Sequence, residues 1–124
     1  MNRTRLLILG FACVALASGT ADRSLAQEEA GKELVQLVID LLNETDKDVR
    51  ALGLEQVRSE AKGEAATRQF ADQLPKLPTD AQLGLLSALS DRGDTAARPA
   101  VLGLLAKSPD ESVRVAAIEA LGVL

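Results

Sequence analysis

The sequence predicts an all-α protein: an α-solenoid of about two and a half to three antiparallel helix-pair repeats, preceded by a signal peptide. Its apolar residues are mostly Leu, Ala and Val, and the only aromatic residues are Phe11 and Phe70. Ala and Leu are the best helix formers. Apolar side chains recur at intervals of three and four residues, the spacing of one helix face. Segments starting at Asp46 and Asp110 resemble each other, and such internal repetition in a helical sequence is typical of solenoids.

The first 26 residues have the pattern of a secretory signal peptide. Two arginines precede an apolar run over residues 6–17, and this run is shorter than the roughly 20 residues that cross a bilayer. Small residues place the predicted cleavage before Gln27, with a rival site after Gly19 and an uncleaved membrane anchor as alternatives. Cleavage before Gln27 would remove Cys13, the only cysteine. We therefore predict a disulfide-free chain exported to the periplasm or the cell exterior.

Residues 27–31 are predicted to be a short linker, followed by a repeat array over residues 32–124. The apolar spacing predicts six helices of roughly 11 to 15 residues in this array. Pro75 and Pro78 should end the third helix, because proline lacks the N–H group that a helix uses as a donor. Gly93 should end the fourth. The six predicted helices begin near residues 32, 46, 63, 79, 95 and 110.

Capping boxes are predicted at the start of the fourth and sixth helices. In such a box, the N-cap side chain and the side chain three residues later each bond to the other residue's backbone. Thr79 with Gln82 and Ser108 with Glu111 have this spacing.

Four glycines fall inside predicted helices, where glycine costs about 1 kcal/mol relative to alanine. We expect them to allow neighbouring helices to approach closely, since no Gly-rich loop follows a strand as phosphate binding would require. They are Gly53, Gly84, Gly103 and Gly122.

The segment Asp110–Gly122 reads Asp-Glu-Ser-Val-Arg-Val-Ala-Ala-Ile-Glu-Ala-Leu-Gly. It resembles the first helix of a HEAT repeat, in particular the short bacterial kind also found in phycobilisome-lyase-type proteins. Residues 46–54 are a looser copy, and residues 79–89 are a copy that lacks the Val-Arg pair. Val49 and Val113 lie 64 residues apart, which is two periods of 32. The resemblance therefore extends over the whole predicted array.

The resemblance implies structural roles for the residues that the copies share. In the family, the aspartate starts the first helix, and the arginine reaches a carboxylate or a backbone carbonyl of the adjoining repeat. We therefore expect Arg114 to bridge repeats through a buried, hydrogen-bonded charge. The matching positions in this chain are Asp46, Val49, Arg50, Asp110, Val113 and Arg114.

The resemblance also implies a right-handed stack in which first helices form the convex side and second helices form the concave side. Here the second helices would be residues 32–42, 63–74 and 95–106. Solenoids bind partner chains on extended concave faces. The polar residues expected on that face are Gln36, Asp40, Arg68, Gln69, Gln73 and Arg98.

The predicted array lacks the residue types on which most catalytic sites depend. Residues 32–124 contain no His, Cys, Tyr or Trp, which removes the usual general base, soft metal ligands and thiol nucleophiles. Carboxylates cluster at Asp46–Asp48 and Asp91–Asp94, but neither cluster has the ligand number of a calcium loop. We interpret both as solvated helix caps. The Arg-Gly-Asp string in the second cluster is too short to indicate cell adhesion, so no catalytic residue, metal or cofactor is predicted.

Charge and the end of the chain narrow the choice of partner. Without the first 26 residues, which hold three arginines and one aspartate, the net charge of −4 becomes −6. An acidic surface repels nucleic-acid phosphates and anionic membranes, which leaves a protein partner or further repeats of the same chain.

The sequence stops at Leu124 inside the sixth predicted helix, where an apolar edge lacks its partner helix. We expect a fragment of a longer protein, or self-association through this C-terminal edge.

Two functional hypotheses follow. The first is an exported, non-catalytic scaffold that mediates protein–protein interaction. The second is a lyase-type enzyme, or an accessory region of a secreted enzyme whose catalytic part is absent from this chain. Bilin lyases act on a cytoplasmic protein, whereas this chain carries a predicted export signal, so we favour the scaffold.

Overall fold

A computed structural model of the chain describes residues 25–124. Helices and turns make up this part, and no strand occurs among residues 25–124. The predicted signal peptide falls on residues 1–26 and so lies, apart from its last two residues, outside the described residues. No helix in the described part is long and apolar enough to cross a membrane.

The described residues fall into two units, residues 25–33 and residues 34–124. In the first unit, residues 25–33 are helical and exposed. The predicted linker, residues 27–31, is therefore helical in the structure. Its local composition explains this, because Ala, Gln and Glu all have high helix propensity.

The second unit contains six α-helices, as the apolar spacing predicted, with two short 3₁₀ turns at Leu74–Lys76 and Thr95–Ala97. All connections between helices are short, which favours packing of consecutive helices against one another. The helices are α1 (residues 34–42), α2 (Lys47–Ser59), α3 (Glu64–Ala71), α4 (Thr79–Arg92), α5 (Arg98–Lys107) and α6 (Glu111–Val123).

Aspartates start two of the first helices, as the family resemblance implied. The Asp46 carboxylate accepts hydrogen bonds from the backbone N–H groups of Asp48 and Val49, at 2.8 and 3.3 Å. The Asp110 carboxylate accepts one from the Val113 N–H at 3.1 Å and another from the Ser112 hydroxyl. The bonds from backbone groups satisfy N–H donors that lack a partner within the helix. The hydrogen bond from the Ser112 hydroxyl and that from the Val113 N–H lower the pKa of Asp110 below its usual value.

Both predicted capping boxes are wrong. Thr79 is the first residue of α4 rather than its N-cap, and the Gln82 amide donates instead to the carbonyl oxygen of Leu74 at 2.9 Å. Ser108 lies two residues before the true N-cap, Asp110, and its hydroxyl accepts the N–H of that aspartate at 3.3 Å. A carboxylate next to the helix start is the stronger acceptor and takes the capping position.

Of the two predicted helix ends, the one at Gly93 is confirmed, whereas the third helix ends before the prolines that were predicted to end it. α4 ends at Gly93, which adopts a left-handed conformation with φ of 71° and donates its N–H to the carbonyl of Leu89 at 3.0 Å. This conformation favours glycine because it has no Cβ atom. α3 ends at Ala71, earlier than predicted, and Pro75 lies within the following 3₁₀ turn.

The six helices form two layers. α2 packs against α4, and α4 packs against α6; we call these three helices the first-helix layer. The intervening helices α1, α3 and α5 form the second-helix layer, in which α3 contacts α5 and the 3₁₀ turn before it. α5 also packs across the layers against α6.

Aliphatic side chains and Phe70 build the core between the layers. Because all these helices are short, an isolated one would be marginal in water, and each depends on its neighbours to cover its apolar stripe. The largest fully buried apolar side chains are Phe70, Leu42, Leu74, Leu85, Leu86, Leu89, Val38, Val57, Val101 and Val113.

Close helix approach is confirmed at two of the four helical glycines. A Cβ atom on Gly53 would lie 2.9 Å from the Cβ of Leu41 and 3.1 Å from the backbone nitrogen of Leu42. On Gly84 it would lie 2.8 Å from Cδ1 of Leu54. For Gly103 and Gly122 the expectation is wrong, because nothing lies within 4 Å of the corresponding position.

Alanine substitutions should separate these two kinds of glycine. Gly53→Ala should lower the free energy of unfolding by about 1–3 kcal/mol, because the new methyl group meets the backbone of α1. Gly103→Ala should raise it by about 0.5–1 kcal/mol, because an open helical site gains only helix propensity. Urea denaturation followed by circular dichroism measures both. Equal effects of the two substitutions would contradict close approach at Gly53.

Candidate functional site

An apolar groove runs between the C-terminal end of α3 and the adjacent face of α5. Its α5 wall consists of residues spaced by three and four positions, which places them on one helix face. Two of these residues are small, Ala100 and Gly103, and this leaves a cavity of about 220 Å³. The cavity is lined by Ala71, Asp72, Pro75, Ala100, Gly103, Leu104 and Lys107.

A second cavity of about 240 Å³ continues this groove toward the start of α6. The two cavities share Pro75, Leu104 and Lys107, and the second reaches Asp110. We call both cavities together the α3–α5 groove. The first cavity is largely apolar and the second is of mixed polarity, and Asp72, Lys107 and Asp110 supply both signs of charge around them.

Five of the six polar residues predicted for the partner face are exposed on or beside the second-helix layer, namely Gln36, Asp40, Arg68, Gln69 and Arg98. Gln73 is not on that surface. It is 8% exposed, and its amide oxygen accepts a hydrogen bond from the Asn43 side chain at 3.2 Å. Its Nε2 also lies 3.5 Å from the carbonyl oxygen of Gln69. Gln73 therefore joins the ends of α1 and α3.

The groove itself was not predicted from the sequence. The available signal was the pair Ala100 and Gly103, small residues three positions apart on one face of α5. We had interpreted Gly103 as a site of close helix contact, and the structure shows open space there instead.

The repeat arginines Arg50 and Arg114 occupy different environments. Arg50 is 7% exposed, and its Nη2 donates to the carboxylate of Asp80 in α4 at 2.9 Å, which confirms the bridge between repeats. Arg114 is exposed and has no hydrogen bond or ion pair with the described residues, so the bridge expected there stays a prediction. The acceptor of Arg50 lies 30 residues further along the chain, and the corresponding position for Arg114 would fall after Leu124.

The Asp91–Asp94 cluster, which we interpreted as solvated, contains a structural arginine. Arg92 Nε donates to the hydroxyl of the fully buried Thr67 at 2.7 Å. Its remaining bonds cap the C-terminal end of α2 and the loop that follows, so all five donors of the guanidinium have acceptors. The backbone carbonyls involved are those of Val57, Glu60, Ala61 and Gly63.

Two neighbours complete the surroundings of Arg92. The guanidinium lies 5.3 Å from the ring centroid of Phe70, a distance typical of a cation–π contact. Burial lowers the pKa of Arg92, and the charge of Asp94 opposes this shift. Hydrogen bonds from the Ala96 N–H and the Thr67 hydroxyl lower the pKa of Asp94. Both charged groups of the Arg-Gly-Asp string are therefore bonded within the fold, which argues against a role in adhesion.

A left-handed residue lies in the loop that Arg92 holds. Ala61 has φ of 48°, which is uncommon for a residue with a Cβ atom. The bond from Arg92 to the carbonyl oxygen of Ala61 helps to keep the loop in this conformation.

Among residues 25–124, no group of three or more side chains is placed to hold a metal ion.

Comparison with known proteins identifies one part of the chain. Residues 97–124 match the HEAT repeat family. This range covers α5 and α6 and includes Asp110, Val113 and Arg114, which carried the resemblance in the sequence. No curated protein and no solved structure matches the chain.

The two repeat arginines should differ in their effect on stability. Arg50→Ala should lower the free energy of unfolding by about 1–3 kcal/mol, since it removes a charged hydrogen bond from a buried position. Arg114→Ala should change it by less than about 0.5 kcal/mol, as is usual for an exposed side chain. Chemical denaturation of both variants tests this. A large loss for Arg114→Ala would show that this arginine bridges repeats after all.

Replacing Arg92 should be more costly than replacing a surface arginine. Arg92→Lys keeps the charge but loses the planar fork of donors, and it should lower the free energy of unfolding by about 2–4 kcal/mol. Arg58→Lys is the control, because Arg58 pairs with the exposed Asp91 at 2.8 Å, and it should change stability by less than about 1 kcal/mol. Thermal unfolding of both variants provides the comparison. Similar losses would contradict a special role for Arg92.

Proposed function

We propose that this chain is a HEAT-repeat protein that works as an exported, non-catalytic scaffold and binds a partner protein in the α3–α5 groove; the match of residues 97–124 to the HEAT repeat family supports the repeat assignment. The groove is the observation that supports this function. One of its two cavities is largely apolar and charged residues lie around both, which is the composition of many protein-binding surfaces. HEAT repeats commonly serve protein interaction, and stacked helices offer elongated surfaces for it.

The shape of the groove suits a peptide segment. The groove consists of two adjoining cavities of about 220 and 240 Å³ rather than one deep pocket. Each cavity has room for an apolar side chain of an extended chain. Asp72 and Lys107 can bond to the backbone or to charged side chains of the same segment.

Two larger hollows adjoin α6 but are less suited to this role. The hollow of about 620 Å³ is lined only by Asp110 and residues of α6, so it has no opposite wall to enclose a side chain. The other, of about 400 Å³, lies between α4 and α6. It belongs to the first-helix layer, away from the second helices on which the sequence predicted partner binding.

Export is the second part of the proposal. It is supported by the sequence, in which two arginines, an apolar run and small residues precede the predicted cleavage before Gln27. The absence of catalysis is the third part. Its support is the composition of residues 32–124, which lack His and Cys, the side chains most often used as general base and as thiol nucleophile.

One capture experiment tests binding and export together. The tagged chain should be recovered from the cell envelope or the culture fluid with a mass that corresponds to a start at Gln27. It should retain a partner protein through cross-linking, and Gly103→Gln should abolish this by filling the groove, where nothing lies within 4 Å of the new Cβ atom. Leu102→Gln is the matched control, because it changes an exposed residue of the same helix.

The outcomes of this experiment separate the parts of the proposal. Equal capture by the parent chain and by Gly103→Gln would contradict binding in the groove. Recovery of the uncleaved chain only from the cytoplasm would contradict export.

A further inference from the structure

Two backbone carbonyl groups at the C-terminal end of α3 are left without a backbone donor from the described part of the chain. They belong to Ala71 and Asp72, which both line the first cavity of the α3–α5 groove. In a continuing helix the N–H of residue 75 would bond to the carbonyl oxygen of Ala71, but Pro75 has no N–H. The N–H of Lys76, which would bond to Asp72, donates instead to the carbonyl oxygen of Gln73 at 3.0 Å. Two acceptors therefore lie beside a largely apolar cavity.

The charges around these carbonyl groups favour a cation. Asp72 is exposed and takes part in none of the ion pairs among residues 25–124. The C-terminal end of a helix adds about half a negative charge. Lys107 lines the same cavity from α5, but its side chain is exposed and can turn into solvent on its flexible stem.

The C-terminal end of α2 shows how this fold covers such carbonyl groups. The Arg92 guanidinium donates to several backbone carbonyl oxygens at the end of α2 and in the loop after it, and Asp94 lies close enough to act on its charge. The end of α3 offers similar acceptors, namely free carbonyl groups next to the carboxylate of Asp72. No arginine of the described chain donates to them, so the place of the guanidinium is open to a partner.

We propose that the α3–α5 groove binds an extended partner segment that carries an arginine within two residues of an aliphatic side chain. The aliphatic side chain enters the first cavity beside Gly103. The guanidinium caps α3 by donating to the carbonyl oxygens of Ala71 and Asp72, and it pairs with the Asp72 carboxylate. A planar fork of donors suits several acceptors at once. This inference rests on the proposed function and specifies the chemistry of the partner.

A library of random heptapeptides displayed on phage provides the probe. It is selected on the immobilised full chain and, in parallel, on Gly103→Gln, which fills the cavity. Peptides enriched on the parent chain alone should carry Arg within two residues of Leu, Ile or Val. Synthetic peptides with Lys in place of that Arg should bind about fivefold more weakly, because lysine keeps the charge but loses the fork of donors.

Two substitutions in the chain test the cap on α3. Pro75→Ala supplies an N–H that can bond to the carbonyl oxygen of Ala71, so it should weaken binding of an enriched peptide about fivefold, as for one lost hydrogen bond. Asp72→Asn should weaken it about tenfold, because the charge pair is lost. Asp40→Asn is the matched control, since Asp40 is exposed on α1 one 32-residue period earlier, and it should leave the affinity unchanged.

The carbonyl carbon signals of the ¹³C-labelled chain report the cap separately from affinity. An enriched peptide should shift the signals of Ala71 and Asp72, because their oxygens gain hydrogen bonds. The same peptide with Ala in place of its Arg should leave both signals in place.

The outcomes distinguish this inference from the proposed function. Failure of the parent chain to enrich any peptide over Gly103→Gln would contradict both. Enriched peptides without an arginine preference, an affinity unchanged by Pro75→Ala, or unmoved carbonyl signals would each overturn the inference and leave peptide binding in the groove intact. Self-association in sedimentation velocity that Gly103→Gln abolishes would identify a second copy of this chain as the occupant and would also overturn it.

Discussion

The fold depends on covering the aliphatic stripe of every helix with the helices beside it. Phe70 is the only aromatic residue among residues 25–124, and no cysteine occurs in that range, so the core there has neither a large aromatic cluster nor a disulfide. Burial of a Leu or Val side chain contributes about 1.5–3 kcal/mol, and this gain opposes the conformational entropy lost on folding. Helices of this length gain enough burial only in a stack, which is why two layers form.

Within the first-helix layer, the ion pairs and hydrogen bonds between helices are concentrated where α2 packs against α4. Arg50 and Arg58 of α2 pair with Asp80 and Asp91 of α4 at 2.9 and 2.8 Å, and Arg92 of α4 holds the loop after α2. These bonds fix the register of the two helices, since each needs a carboxylate or carbonyl at one particular place. At the α4–α6 junction, Gln82 bonds instead to Leu74, and contact between the helices there is largely apolar. Specific polar pairs therefore connect α2 to α4, whereas α4 and α6 are held together mainly by apolar contact.

The second-helix layer carries the surface on which the proposed function rests. The α3–α5 groove is an indentation in the second-helix layer, and its narrow cavities suit individual side chains of an extended segment.

The sequence by itself determined the helical class, the order of the six helices, the aspartates that start α2 and α6, and the end of α4 at Gly93. These features depend on local spacing, on capping by adjacent residues and on the left-handed conformation that glycine tolerates. Tertiary structure decided which of two equivalent arginines is bonded, which helical glycines lie against a neighbour, and that Arg92 links α4 to the loop after α2. It also decided that small residues on α5 border a groove. The physical reason is that each of these depends on an atom from a distant part of the chain, and a repeated pattern assigns the same residue to positions whose neighbours differ.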